Sequence, residues 1–175
     1  MQLSWSFPDW LDQLPARFDS VTAAMDQVLD LVDRNVAAGG GPFAALLLDA
    51  QGGVLAAGAN RVLAAGCSVL HAEMVAIMRA QARLGSHDLR QQAAHLVSSC
   101  EPCAMCLGAL PWAGVSELSY AATGADAEAI GFDEGAKPQP WQESLRVRGI
   151  CVHPPLASVR AVQQLQDYGR QHRLY

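Results

Sequence analysis

Apolar positions change their period several times along the chain, and each change marks an element. Val21, Met25, Val28, Leu29, Val32 and Val36 recur at helical spacing, which predicts a helix over about 20–38 with Asp19 or Ser20 as its cap. Gly39-Gly40-Gly41-Pro42 stops it. Two short apolar runs, Phe43 to Leu48 and Val54 to Ala57, flank the turn-like Gln51-Gly52-Gly53, which is the layout of a β-hairpin. From His71, the positions Val75, Ile77, Met78, Ala82 and Leu84 suggest a second helix closed by Gly85. His95 to Ser99 reads as a buried strand that runs into Cys100-Glu101-Pro102-Cys103, and a helix is expected from Cys103 to Leu110 or beyond. Val115 to Ala121 reads as a strand, and Asp126 to Trp141 as a looser region. A further strand is expected at Gly149 to His153, then a stop at Pro154-Pro155 and a last helix from Ala157 towards Tyr168. This alternation predicts an α/β fold with helices on both faces of a sheet that opens with an antiparallel hairpin.

Composition narrows the class. A chain of 175 residues with 51% apolar side chains has the size of one domain and can bury a core without disulfides. The net charge of -5 and a single lysine, Lys137, argue against a protein that lives on phosphate contacts to nucleic acid. No apolar run reaches the roughly 20 residues of a spanning helix, and Met1 to Asp19 lacks a signal-peptide layout, so the expected compartment is the cytoplasm. The expected organisation is an N-terminal arm over 1–19, anchored by Trp5 and Trp10, a main domain over 20–153, and a C-terminal helix and tail over 154–175. Three of the five cysteines crowd into Cys100 to Cys106, which points to metal or redox chemistry rather than a disulfide framework. Cys67 and Cys151 are expected to be small buried apolar residues. His87, His95, His153 and His172 lack partners at ligand spacing, and Arg170, His172 and Arg173 read as a solvated helix end.

Two segments carry chemistry: His71-Ala72-Glu73, and Pro102-Cys103-Ala104-Met105-Cys106. Residues two apart do not share a face in mid-helix, but at a helix mouth the side chains of His71 and Glu73 can both lean past the end. Cys103 and Cys106, three apart, share one face of a first turn, where free N–H groups favour the thiolate. One His and two Cys make three zinc ligands, and the fourth tetrahedral position is left to water, as in catalytic rather than structural sites. Glu73 beside them is the candidate proton carrier. The set favours hydrolytic removal of an amine from an amino-substituted heterocycle.

The order H-x-E followed by P-C-x-x-C is the signature of zinc-dependent nucleobase deaminases, and over about residues 20–153 the chain resembles the cytidine deaminase superfamily. Gly40-Gly41-Pro42-Phe43, Ala57-Gly58-Ala59-Asn60-Arg61, Glu101 to Cys106, Trp112 and above all Ile130-Gly131-Phe132-Asp133-Glu134-Gly135 resemble its bacterial guanine deaminase branch. The resemblance implies a three-layer α/β/α fold on a mixed five-stranded sheet, a homodimer in which the tail over 154–175 packs on the same domain or on the dimer partner, and zinc on His71, Cys103 and Cys106, with Glu73 as proton shuttle. It further implies that Asn60 bonds the purine edge, that Phe43 and Trp112 contact the base, that the Ala72 backbone helps hold it, and that Glu134 is a second carboxylate near the exocyclic amine. The implied reaction turns guanine into xanthine and ammonia, with ammeline, cytosine, a nucleoside or a tRNA adenosine as alternative substrates and a structural zinc module as the non-enzymatic reading. By themselves, Asn60 also reads as a left-handed turn residue, Phe43 as core and Glu134 as a solvated acid. Two features depart from the family pattern. Pro111 is expected to end or kink the cysteine helix before Trp112, and Cys100 is either a competing ligand or the end of a buried strand.

Overall fold

A computed structural model describes residues 5–156, 158–171 and 174–175; the readings of Ala157, His172 and Arg173 lie outside them. Helix α1, Val21–Ala37, begins at Ser20, whose side chain accepts from the amide of Ala23, so Ser20 and not Asp19 is the cap. The hairpin is formed by β1, Ala44–Leu48, and β2, Val54–Ala59. A short α2, Val62–Ala65, precedes α3, Ala72–Leu84, which stops at Gly85 in the left-handed region. Then come β3, His95–Cys100, α4, Ala104–Ala113, β4, Glu117–Ala122, α5, Gly124–Ala129, α6, Trp141–Arg146, β5, Cys151–Val152, and α7, Val159–Gln171.

The five strands lie in the order β2-β1-β3-β4-β5. The β1–β2 and β1–β3 pairs are antiparallel, and the β3–β4 and β4–β5 pairs are parallel. Every residue of β1 and β3 is buried; β1 is a continuous apolar run, whereas β3 buries His95, Ser98 and Ser99 among its apolar residues. One face of the sheet packs on α3, α4 and α6 through Leu47, Leu96, Leu118, Ile77, Leu110 and Leu145. The other packs on α1, α5 and α7 through Leu46, Val97, Val28, Ala127 and Leu165. The result is the three-layer α/β/α arrangement on a mixed sheet. Helix α3 sits close on β2 because Gly58 has no side chain; a Cβ there would run into the carbonyl of Ala72 and the amide of Ala76. The arm packs Leu11 fully and Trp10 partly against the α1 side, while Trp5 is 38% exposed. Helix α7 is tied to α1 by Arg160, which bonds Asp30 and Asp33, and by Gln164 on the carbonyl of Leu29. Among the described residues, no helix is long and apolar enough to cross a membrane.

Several expectations are corrected. The looser stretch is loop over residues 130–140, but two helices missed by the pattern flank it, α5 reaching into its start and α6 beginning at Trp141; each is six residues long and too short to show a period, and α5 instead carries a capping box between Thr123 and Asp126. Pro111 does not end α4, which runs on to Ala113. It falls in the last turn, so its missing donor forfeits only one helical bond. Cys67 is half-buried and Cys151 exposed, because β5 is an edge strand in which Val152, not Cys151, faces the core. His95 and His153 are not without partners, since the parallel strands bring both to Glu117.

Candidate active site

The carboxyl end of β3 and the start of α3 meet at one point, which is where open α/β sheets present their ligand sites. His71 and Cys103 occupy equivalent places there. Each is the N-cap of its helix, each has an extended backbone, and neither side chain caps the helix it precedes. Both side chains are thereby free to point past the helix mouths towards each other. The Nδ1 of His71 lies 3.5 Å from the Sγ of Cys103, and Cys106, one turn along α4, completes a set whose ligand atoms all lie within 4.8 Å of one another. Tetrahedral zinc with Zn–N near 2.0 Å and Zn–S near 2.3 Å spaces its N and S ligands by about 3.5 Å, so the donor set fits such an ion in both chemistry and spacing. A hydrogen bond from the Cys106 thiol is the main force holding Cys103 down to about 4, with His71 adding to it against the opposing effect of burial. His71 is raised in turn by the bond to Cys103. Cys100 is not part of the set. Its thiol donates instead to the carbonyl of Thr123, and the cluster of ligand atoms is formed by His71, Cys103 and Cys106 without it.

Two buried carboxylates face this set. Glu73, in the first turn of α3, is raised to about 7, mainly by burial and further by the charge of Cys103. Glu134 is only 7% exposed although it lies in a loop, and it is not the solvated acid that its neighbour Asp133 suggested. It is reached by Lys137, whose Nζ lies 2.6 Å from Glu134 Oε2 and 2.7 Å from Glu101 Oε1. Burial raises Glu134, and the adjacent ammonium opposes that rise. Ala104 donates its amide to the carbonyl of Glu134, which fixes the loop to the start of the cysteine helix.

A cavity of about 190 Å3 is lined by His71, Glu73, Cys103, Glu134, Asn60 and Phe43, with Phe132 and Tyr175 among its other walls. Phe132 meets Phe43 edge-on at 5.0 Å and Tyr175 at 5.4 Å between ring centres. Asn60 is 2% exposed and its Oδ1 accepts from the amide of Val62. It is not among the residues with positive φ, so the left-handed turn reading falls. Its backbone is held by Asn35, fully buried in α1, whose Nδ2 donates to the carbonyls of Asn60 and Gly41. The structure does not bring Ala72 or Trp112 into this lining. The Ala72 side chain belongs to the core beneath α3. Trp112 is 79% exposed, because Cys106, Leu107, Leu110 and Ala113 form the inward face of α4 and position 112 points the other way.

Among the residues of this site to which the sequence reading gave no role are Asn35, Lys137, Phe132 and Tyr175. Asn35 sits on a helix and looks like any polar position. The rarity of lysine was a usable signal for Lys137, since it is the one lysine in the sequence and its side chain is buried between two carboxylates.

A family model described as the cytidine and deoxycytidylate deaminase zinc-binding region matches residues 19–122. A solved structure of the guanine deaminase from Nitrosomonas europaea superimposes with a TM-score of 0.93 at 43% identity, covering 97% of each chain. NE0047 in complex with 2,6-diaminopurine gives 0.92 at 43% identity, over 97% of this chain and 94% of that one. The guanine deaminase of Bacillus subtilis (strain 168) is 42% identical over 95 residues, 54% of this chain, and the match spans 59% of that relative's length. With the model covering more than half of the sequence and the solved relatives covering nearly all of it, the chain belongs to the cytidine and deoxycytidylate deaminase family.

Proposed function

We propose that the chain is a zinc-dependent guanine deaminase that converts guanine and water to xanthine and ammonia. The observation that carries this reading is the second carboxylate: Glu134 lines the same cavity as Glu73, His71 and Cys103 and is buried against Lys137. Guanine offers N–H donors at N1 and at its 2-amino group, and an ionised carboxylate is an acceptor for both. Adenine has neither donor at those positions.

His71, Cys103 and Cys106 would hold the zinc, which when bound lowers the pKa of water from 15.7 to about 7. Glu73, raised to about 7 by burial, is matched to accept a proton at neutral pH and return it to the departing amine, a relay that contributes about 10² to 10⁴ in rate. With Oδ1 of Asn60 engaged by Val62, its Nδ2 is the group it offers to the purine edge. Phe43 and Phe132 supply apolar ring faces. The 190 Å3 cavity falls below the roughly 300–1,000 Å3 of pockets for larger ligands. That size and the net charge of -5 support a free base over a nucleic acid. The reading includes a homodimer, for which the exposed Trp112 on α4 offers apolar surface, and light scattering tests it.

The deciding experiment measures ammonia release by zinc-loaded protein from guanine, ammeline, cytosine, adenine and guanosine, with Glu73→Ala and Glu134→Gln alongside. Guanine turnover is expected, abolished in Glu73→Ala and strongly reduced in Glu134→Gln. Stoichiometric zinc without guanine turnover overturns the reading.

A further inference from the structure

His95 opens β3, Glu117 opens β4 and is its register partner, and His153 follows β5 directly. The three side chains meet beside the amino ends of β3 and β4 and the carboxyl end of the short β5. His95 is about 16 Å along β3 from the Cys100 end that leads to the active site. His153 Nε2 lies 2.7 Å from Glu117 Oε2, and His95 Nδ1 lies 4.0 Å from the same oxygen. The two imidazoles stand 5.3 Å apart between ring centres. One candidate ligand atom from each residue lies within 4.8 Å of the others. Tetrahedral zinc with N and O ligands near 2.0–2.1 Å spaces them by about 3.3 Å, between the two observed separations. Small side-chain movements that open the 2.7 Å contact and close the 4.0 Å gap would bring both pairs to the spacing of a common ion.

Ser119, two residues along β4, adds the second half of a built site. Its Oγ lies 2.9 Å from His95 Nε2. In the tautomer that donates Nε2–H to this hydroxyl, Nδ1 turns its lone pair towards the Glu117 carboxylate. That tautomer leaves Nδ1 able to ligate a cation beside the Glu117 carboxylate. Hydrogen bonding of the outer ring nitrogen is also how metal-binding histidines are usually oriented. Glu117 and His153 have side chains 42% and 38% exposed, so an ion can enter from solvent.

We propose that His95, Glu117 and His153 form a second divalent metal site, separate from the His–Cys–Cys set. Two imidazoles and a carboxylate suit borderline ions such as Zn2+, Co2+ or Ni2+ rather than Ca2+ or Mg2+. The site acts as a clamp: β5 is only two residues long, and an ion here joins the residue that follows it to β3 and β4.

The test titrates the zinc-loaded full chain with Co2+, reading metal bound per chain and the visible spectrum. One further equivalent is expected, saturable and without a thiolate charge-transfer band, which separates it from uptake at Cys103 and Cys106 or at the free cysteines. His153→Gln and Glu117→Gln change partly exposed side chains, and these variants are expected to stay folded while weakening the added equivalent at least tenfold. His95→Ala does the same. No saturable uptake beyond the first equivalent, or uptake equal in wild type and in all three variants, overturns the proposal. Neither result depends on whether guanine is the substrate.

Discussion

Replacing Lys137 by Met keeps the length of the side chain and removes its charge. The ammonium sits between Glu101 and Glu134, and all three side chains are nearly buried, at 8%, 12% and 8% exposed. At separations of 2.7 and 2.6 Å, each attraction is about 6 kcal/mol for an effective dielectric of 20. Most of that offsets the several kcal/mol lost by each ion on leaving water. Without the lysine, two carboxylates remain buried with no cation, a change that costs about 3–5 kcal/mol for a buried pair. Glu134, already raised by burial, is the group that takes up a proton in response. It would then present an O–H where the substrate presents N–H donors. Lys137→Met is therefore expected to lose about 3 kcal/mol in urea unfolding and to raise KM for guanine. The double variant with Glu134→Gln is the sharper assay, because a neutral amide needs no counter-charge. It should recover part of the loss, giving a coupling of roughly 1–3 kcal/mol in the double-mutant cycle. A loss below about 1 kcal/mol, or strict additivity of the two changes, would refute the reasoning.

Three further outcomes follow from the same geometry. Asn35→Ala leaves the carbonyls of Gly41 and Asn60 without their buried donor and should cost about 2–3 kcal/mol by urea denaturation, with a raised KM as Asn60 loosens. Gly58→Ala places a methyl against backbone atoms of α3, so bound zinc per chain should fall although no ligand is altered; retention of full metal content would show that α3 absorbs the methyl. Cys100→Ser should leave metal stoichiometry unchanged, because its thiol bonds Thr123 and not the cluster, and a fall in metal content by elemental analysis would count against that assignment.

What could be read from the chain followed from how local the information was. α1, the hairpin and α3 announce themselves by period and by punctuation at Gly39 to Pro42 and Gly85, because each is decided within its own residues. The metal set was legible because a helix start fixes the spacing of Cys103 and Cys106 and the sequence separates His71 from Glu73 by one residue. Trp112 was misplaced for the opposite reason. Which face of α4 turns inward depends on the sheet it packs against, and the helix is too apolar throughout for its sequence to decide. The pairing of Lys137 with Glu101, the grip of Asn35 on the Asn60 loop and the meeting of His95 with His153 are all contacts between distant segments. Strand order creates them, and strand order is not written in any short stretch.

The two helix starts at the active site show what the arrangement forgoes. Position 71 and position 103 are N-caps, where Ser, Asp or Asn would ordinarily add about 1 kcal/mol each over a residue that cannot cap. A sequence selected for stability alone would carry those residues there, and Ser20 at α1 and Thr123 at α5 show that this chain does so elsewhere. At 71 and 103 the side chain is instead turned outward and the helix begins uncapped. An experimenter seeking a more heat-resistant protein by filling helix caps would therefore be led to the two positions at which the gain in stability and the loss of activity come from the same substitution.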